Sequence, residues 1–114
     1  MPPRQWKLRI EDMIEAIERI QKYIQGMSYE QFAADTKTVD AVVRNFDILG
    51  EAAGKVPPEI QKSHPKLPWS KIRGMRNLLA HEYFGVSDSI LWITATADLT
   101  PLLPLLKSIL LATP

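Results

Sequence analysis

A chain of 114 residues, 46% apolar and 24% charged, can bury one hydrophobic core but not two of ordinary size, and its balance is not that of a disordered segment. Without cysteine there is no disulfide framework, thiolate nucleophile or cysteine-bound zinc, and a cytoplasmic setting fits. A formal net charge of +1 gives little long-range attraction for a polyanion, so nucleic-acid binding would have to rest on a local basic cluster.

From residue 6 to 23, Ile10, Met13, Ile14, Ile17, Ile20 and Ile24 recur at three- and four-residue spacing, which predicts an amphipathic helix with Lys7, Arg9, Glu11, Glu15, Glu18, Arg19 and Lys22 on its wet face. Gly26 supplies a stop, and Ser28 with Gln31 three residues later forms the pattern of a capping box opening a short helix. A second long helix follows, capped by Asp35 or Thr36, with Val39, Val42, Val43, Phe46, Leu49, Ala52 and Ala53 on one side. The stretch from Pro57-Pro58 to Pro68 lacks a period and reads as a loop with one turn of helix. Residues 69–83 make a third long helix with Ile72, Met75, Leu78 and Leu79 as its buried stripe. Ser87 is placed to cap a fourth, and because Pro101 and Pro104 cannot both sit in an unbroken ladder, that helix should restart near Thr100, with Thr100 capping and Pro101 first. The leucine-rich final helix is more apolar than one buried stripe requires, which fits either an oligomer interface or a central core helix. No period-two runs flanked by hairpin turns occur. The expected fold is all-α: one domain over residues 1–114, an antiparallel bundle of four main helices plus short ones. Charges and prolines interrupt the C-terminal apolar run, and no signal peptide is evident, so no membrane association is expected.

The chemistry concentrates in Arg73-Gly74-Met75-Arg76-Asn77-Leu78-Leu79-Ala80-His81-Glu82-Tyr83. On a helix, Tyr83, Arg76, Ala80, Arg73, Asn77 and His81 fall within an arc of roughly 160°, away from Met75, Leu78 and Leu79. Polar residues on the outer face of a helix often serve only to solvate it, so the arc alone does not define a site. His64, between Ser63 and Pro65, has no metal-ligand spacing to other donors and reads as structural or solvent-facing. Arg44 and Glu51, seven residues apart, share a face and either support the site or merely solvate their helix. Gly50 and Gly54 are too sparse for a phosphate-binding loop.

Arg76, four intervening residues, His81, one residue and Tyr83 resemble the signature of the HepT toxins of the HEPN superfamily. So do Pro68-Trp69, Ile72-Arg73-Gly74-Met75 and Asp47-Ile48-Leu49-Gly50-Glu51-Ala52, and the resemblance covers about residues 10–106. It implies a helical homodimer whose two Arg-His motifs meet in one cleft, in many relatives a metal-independent ribonuclease site that needs no cofactor. Cleaving RNA through its 2′-hydroxyl takes a base and an acid, and two-fold symmetry would bring the second histidine to a motif that has one. Within that reading His81 is the general base or acid, its ordinary pKa of about 6.5 allowing both states. Arg76 holds the scissile phosphate, and Asn77, one turn before His81, orients imidazole or phosphate, with Arg73, Glu51 and Arg44 in support. The resemblance also implies a nucleotidyltransferase antitoxin as partner, adding AMP from ATP to Tyr83 and so blocking the RNA substrate. Two alternatives remain open: a non-catalytic HEPN module that binds that partner or a nucleotide, and a purely structural oligomerising bundle.

Overall fold

The computed structural model describes the backbone of residues 3–81 and 88–112, and side chains over residues 6–76 and 88–112. Every regular element among them is helical: α1 (Pro3–Ile24), α2 (Tyr29–Ala34), α3 (Thr36–Gly54), α4 (Pro58–Ser63), α5 (Trp69–His81), α6 (Asp88–Ile93), a π-helical segment (Thr94–Asp98) and α7 (Leu102–Ala112). The all-α expectation holds. The four main helices are α1, α3, α5 and the broken rod of α6, the π segment and α7.

α3 is the centre of the arrangement, packing against α1 on one side and α5 on the other, while α7 covers another flank of α1. Periodicity explains why. Ile10, Met13, Ile17 and Ile20 of α1 are fully buried with Val42, Phe46 and Leu49 of α3, Ile72 of α5 and Leu99, Leu106 and Ile109 from the C-terminal rod, in one continuous cluster. Removing each such side chain from water contributes about 1.5–3 kcal/mol, which outweighs helix propensity as the source of order.

The turns use the expected chemistry. Gly26, with φ of 78°, takes the left-handed conformation that lets the chain leave α1. Ser28 Oγ accepts from the Gln31 backbone N–H at 3.1 Å, and Gln31 Oε1 accepts from the Ser28 N–H at 2.9 Å, completing the capping box. Asp35 caps α3, its carboxylate accepting from the Thr38 backbone N–H at 3.2 Å and the Thr38 hydroxyl at 2.8 Å. Those two bonds hold the Asp35 carboxyl below its ordinary value. The segment between α3 and α5 is more ordered than a plain loop: Pro58 starts the six-residue α4, Gln61 Nε2 donates to Val56 O at 2.8 Å, and Trp69 Nε1 donates to His64 O at 3.0 Å.

The C-terminal rod departs from expectation in detail. A break forms, but Thr100 does not cap a helix beginning at Pro101: α7 begins at Leu102, and the Thr100 hydroxyl points back to Thr96 O at 3.5 Å. Pro104 then falls in the first turn of α7, where its missing N–H would have had no helical acceptor. The turn before the break widens, with Leu99 N–H donating to Thr94 O. Thr94 and Thr96 hydroxyls donate to the carbonyls of Ile90 and Trp92, competing for acceptors the helix ladder would otherwise use. The halves of the rod meet at 48°. Among the described residues no single helix is long and apolar enough to cross a membrane. The expected cap at Ser87 lies outside the described residues.

Candidate functional site at the seam between α3 and α5

Arg76 lies next to the buried stripe of its own helix. On α5 it is about 40° from Ile72, which is completely buried, so its Cβ faces α3 before its guanidinium reaches solvent. The two backbones are nearly in contact there. A Cβ added to the buried Gly50 would stand 2.7 Å from Arg76 Cβ, 3.1 Å from the Arg76 backbone nitrogen and 3.3 Å from Ile72 O. Gly50, dismissed in the sequence as part of a phosphate loop, is therefore a packing residue that lets α5 approach α3 at the arginine.

From that anchor the Arg76 side chain runs along α3 to Asp47, which precedes Gly50 by nearly one turn. Arg76 Nε donates to Asp47 Oδ1 at 3.1 Å. Arg44 approaches Oδ2 of the same carboxylate at 3.7 Å, so Asp47 bridges two guanidinium groups. Arg76 remains 54% exposed and Asp47 41% exposed. Pairs this open to water are worth about 0–1 kcal/mol to stability, so what the contact supplies is orientation. Arg73, nearly one turn earlier on α5, donates through Nη1 to Gln61 Oε1 at 2.6 Å, and Gln61 is itself tied to Val56 O. The two arginines of α5 are thus steadied from different elements, one by an anion on α3 and one by a neutral amide on α4. Glu51 pairs with Lys55 on its own helix at 3.5 Å, leaving Arg44 as the expected supporting residue whose contact reaches Arg76's partner.

The backbone of α5 continues through His81, so Arg76, Asn77 and His81 share one helix as predicted. The side chains of Asn77 and His81 lie outside the described residues, as does Tyr83 altogether. Asp47, Gln61 and the packing role of Gly50 were not read as site features in the sequence. Asp47 had one usable signal: it stands three residues from both Arg44 and Gly50, on the flank that a small residue opens to another helix.

These features agree with what the chain resembles. The ribonuclease HepT-like family matches residues 13–109. A protein of Thermococcus cleftensis named "Probable ribonuclease HepT" is 39% identical over 99 residues, covering 87% of this chain and 90% of the relative. One from Caldanaerobacter subterraneus subsp. tengcongensis, named "Putative RNase TTE0752", is 38% identical over 101 residues, covering 89% and 90%. A third, "Putative RNase MJ1216" of Methanocaldococcus jannaschii, is 35% identical over 99 residues, covering 87% and 82%. No solved structure matches the chain. On this agreement of family match, relatives and helical architecture, the chain belongs to the ribonuclease HepT-like family.

Proposed function

We propose that the chain is a cytoplasmic endoribonuclease acting as a homodimer, the toxin of a two-protein system silenced when a nucleotidyltransferase partner adds AMP to Tyr83. The observation that carries the ribonuclease reading is the exposed, anchored guanidinium of Arg76 on the helix that also bears His81, in a chain whose relatives are named as ribonucleases. A guanidinium is always charged near neutral pH and presents paired N–H donors that fit a phosphate.

In the proposed reaction the RNA 2′-oxygen attacks phosphorus, forming a 2′-O–P bond as the P–O5′ bond breaks. One imidazole takes the 2′-hydroxyl proton, and an imidazolium gives a proton to the departing 5′-oxygen. Arg76 offsets charge growing on the non-bridging oxygens. Side chains supply base, acid and electrostatic stabilisation, so the scheme calls for no metal ion.

The placement of His64 supports a dimer. The chain has two histidines, and the His64 carbonyl accepts from Trp69 at the start of α5. Position 81 is the last described residue of that helix, a backbone rise of roughly 18 Å from Trp69 at 1.5 Å per residue. With the two backbone positions this far apart, the second imidazole is better supplied by the His81 of a second copy.

Cleavage of RNA in excess chelator by wild type, His81→Ala and Arg76→Ala tests this reading. The wild type should cut and both folded variants should lose nearly all activity. Undiminished cleavage by either refutes the assignment, and RNA that is bound but never cut identifies a binding module instead. For the silencing step, the Tyr83 oxygen would attack the α-phosphorus of ATP and release pyrophosphate. Intact mass should rise by one or more adenylyl groups on incubation with partner and ATP, and Tyr83→Phe should not be labelled.

A further inference from the structure

We infer that Asp47 is a positioning residue for RNA cleavage: it fixes the Arg76 guanidinium from behind so that its terminal nitrogens meet the phosphate in one orientation. The inference rests on the ribonuclease reading and adds a residue to it. Three observations lead to it. Gly50 brings the helices close enough to fix the root of the Arg76 side chain. Asp47, nearly one turn away, accepts from Nε at 3.1 Å. That contact uses one edge of the guanidinium, and the bidentate edge formed by Nη1 and Nη2 is the one a phosphate would take.

The carboxylate need not neutralise the site, because Arg44 stands at 3.7 Å from its other oxygen. The trio Arg44, Asp47 and Arg76 therefore keeps one net positive charge, and Arg73, held by the uncharged Gln61, adds a second. An arginine has several rotatable bonds, and an exposed one samples many directions unless something holds its head group. Clamping Nε removes that freedom before substrate arrives, which favours the transition state over random encounter.

The test combines kinetics with a direct probe of the clamp, using the full-length protein. In arginine-labelled wild type, the Arg76 Nε–H resonance, assigned by its loss in Arg76→Lys, should exchange with water more slowly than in Asp47→Ala. The same Asp47→Ala protein should show kcat for RNA cleavage lowered by roughly 2- to 5-fold, with KM little changed. Asp47→Asn keeps an oxygen for Nε and should recover most of the rate. In an Arg76→Ala background, Asp47→Ala should cost nothing further, since it acts through the guanidinium. A structural role alone would not produce that non-additivity, and far-UV circular dichroism confirms folding of each variant.

Unchanged or faster cleavage by Asp47→Ala overturns the inference while leaving the ribonuclease reading intact, as does an Nε–H resonance indifferent to Asp47. An additional loss in the Arg76→Ala background overturns it as well. If the wild type cuts no RNA and equals His81→Ala, the ribonuclease reading fails and this role fails with it. That case is recognised by the absence of wild-type cleavage.

Discussion

Substituting Gly50 by alanine should destabilise the protein, although the same change elsewhere in a helix does the reverse. An interior helical glycine replaced by alanine ordinarily gains about 1 kcal/mol of propensity. At Gly50 the new Cβ would lie 2.7 Å from Arg76 Cβ, against an ordinary carbon–carbon contact of about 3.5–4.0 Å. The obstacles include the Arg76 nitrogen and the Ile72 carbonyl, backbone atoms that cannot turn aside as a side-chain tip can, so α3 and α5 must part by about 1 Å. Overpacking of this kind costs about 1–3 kcal/mol, and after the propensity gain a net loss of roughly 1 kcal/mol, up to 2, remains. Gly74 on α5 is the matched control, because a Cβ there meets nothing within 4 Å, and Gly74→Ala should stabilise by up to about 1 kcal/mol. Thermal unfolding at a shift of about 4 °C per kcal/mol separates the two variants clearly. Equal stabilisation by both would show that α3 and α5 do not approach at this point, and the anchoring of Arg76 would go with it.

Phe46→Ala removes a completely buried ring from the helix that touches both α1 and α5, and should cost about 3–5 kcal/mol in urea unfolding. Asp35 gives a pH dependence whose sign follows from its lowered carboxyl pKa. Its contribution is complete above the ordinary value of 3.8 and is lost as pH falls through the lower folded value, so the urea-midpoint gap between wild type and Asp35→Ala should narrow only under strongly acid conditions. A gap that is constant down to full protonation would contradict this. Gln61→Ala, which removes the donor to Val56 O and the acceptor for Arg73, should lower stability by about 1 kcal/mol, and NMR should detect a more mobile Arg73 head group.

The fold was legible because its determinants are local. Apolar spacing identified α1, α3 and α5, and Ser28, Gln31 and Asp35 form the predicted caps within three residues of their acceptors or donors. The C-terminal rod was only partly legible. Two prolines imposed a break, but its location depended on which proline could occupy a first helical turn, and on threonine hydroxyls that divert carbonyls and widen the ladder. A single proline rule cannot decide between those outcomes, since each satisfies it.

The candidate site divides along the same line. Arg76, Asn77 and His81 belong to one helix, so helical spacing could group them without knowledge of other elements. Asp47 is 29 residues from Arg76, and their contact depends on which flank of α3 faces α5. Gly50 carries that information, because its missing side chain marks where the backbones come closest. A glycine read only for turns or phosphate loops conceals it. The same geometry explains how an exposed arginine can be directed without a stable salt bridge. Packing immobilises the Cβ at no electrostatic cost, and the carboxylate then has only the outer half of a side chain left to orient. An exposed ion pair too weak to matter for folding can therefore still decide where a catalytic charge stands.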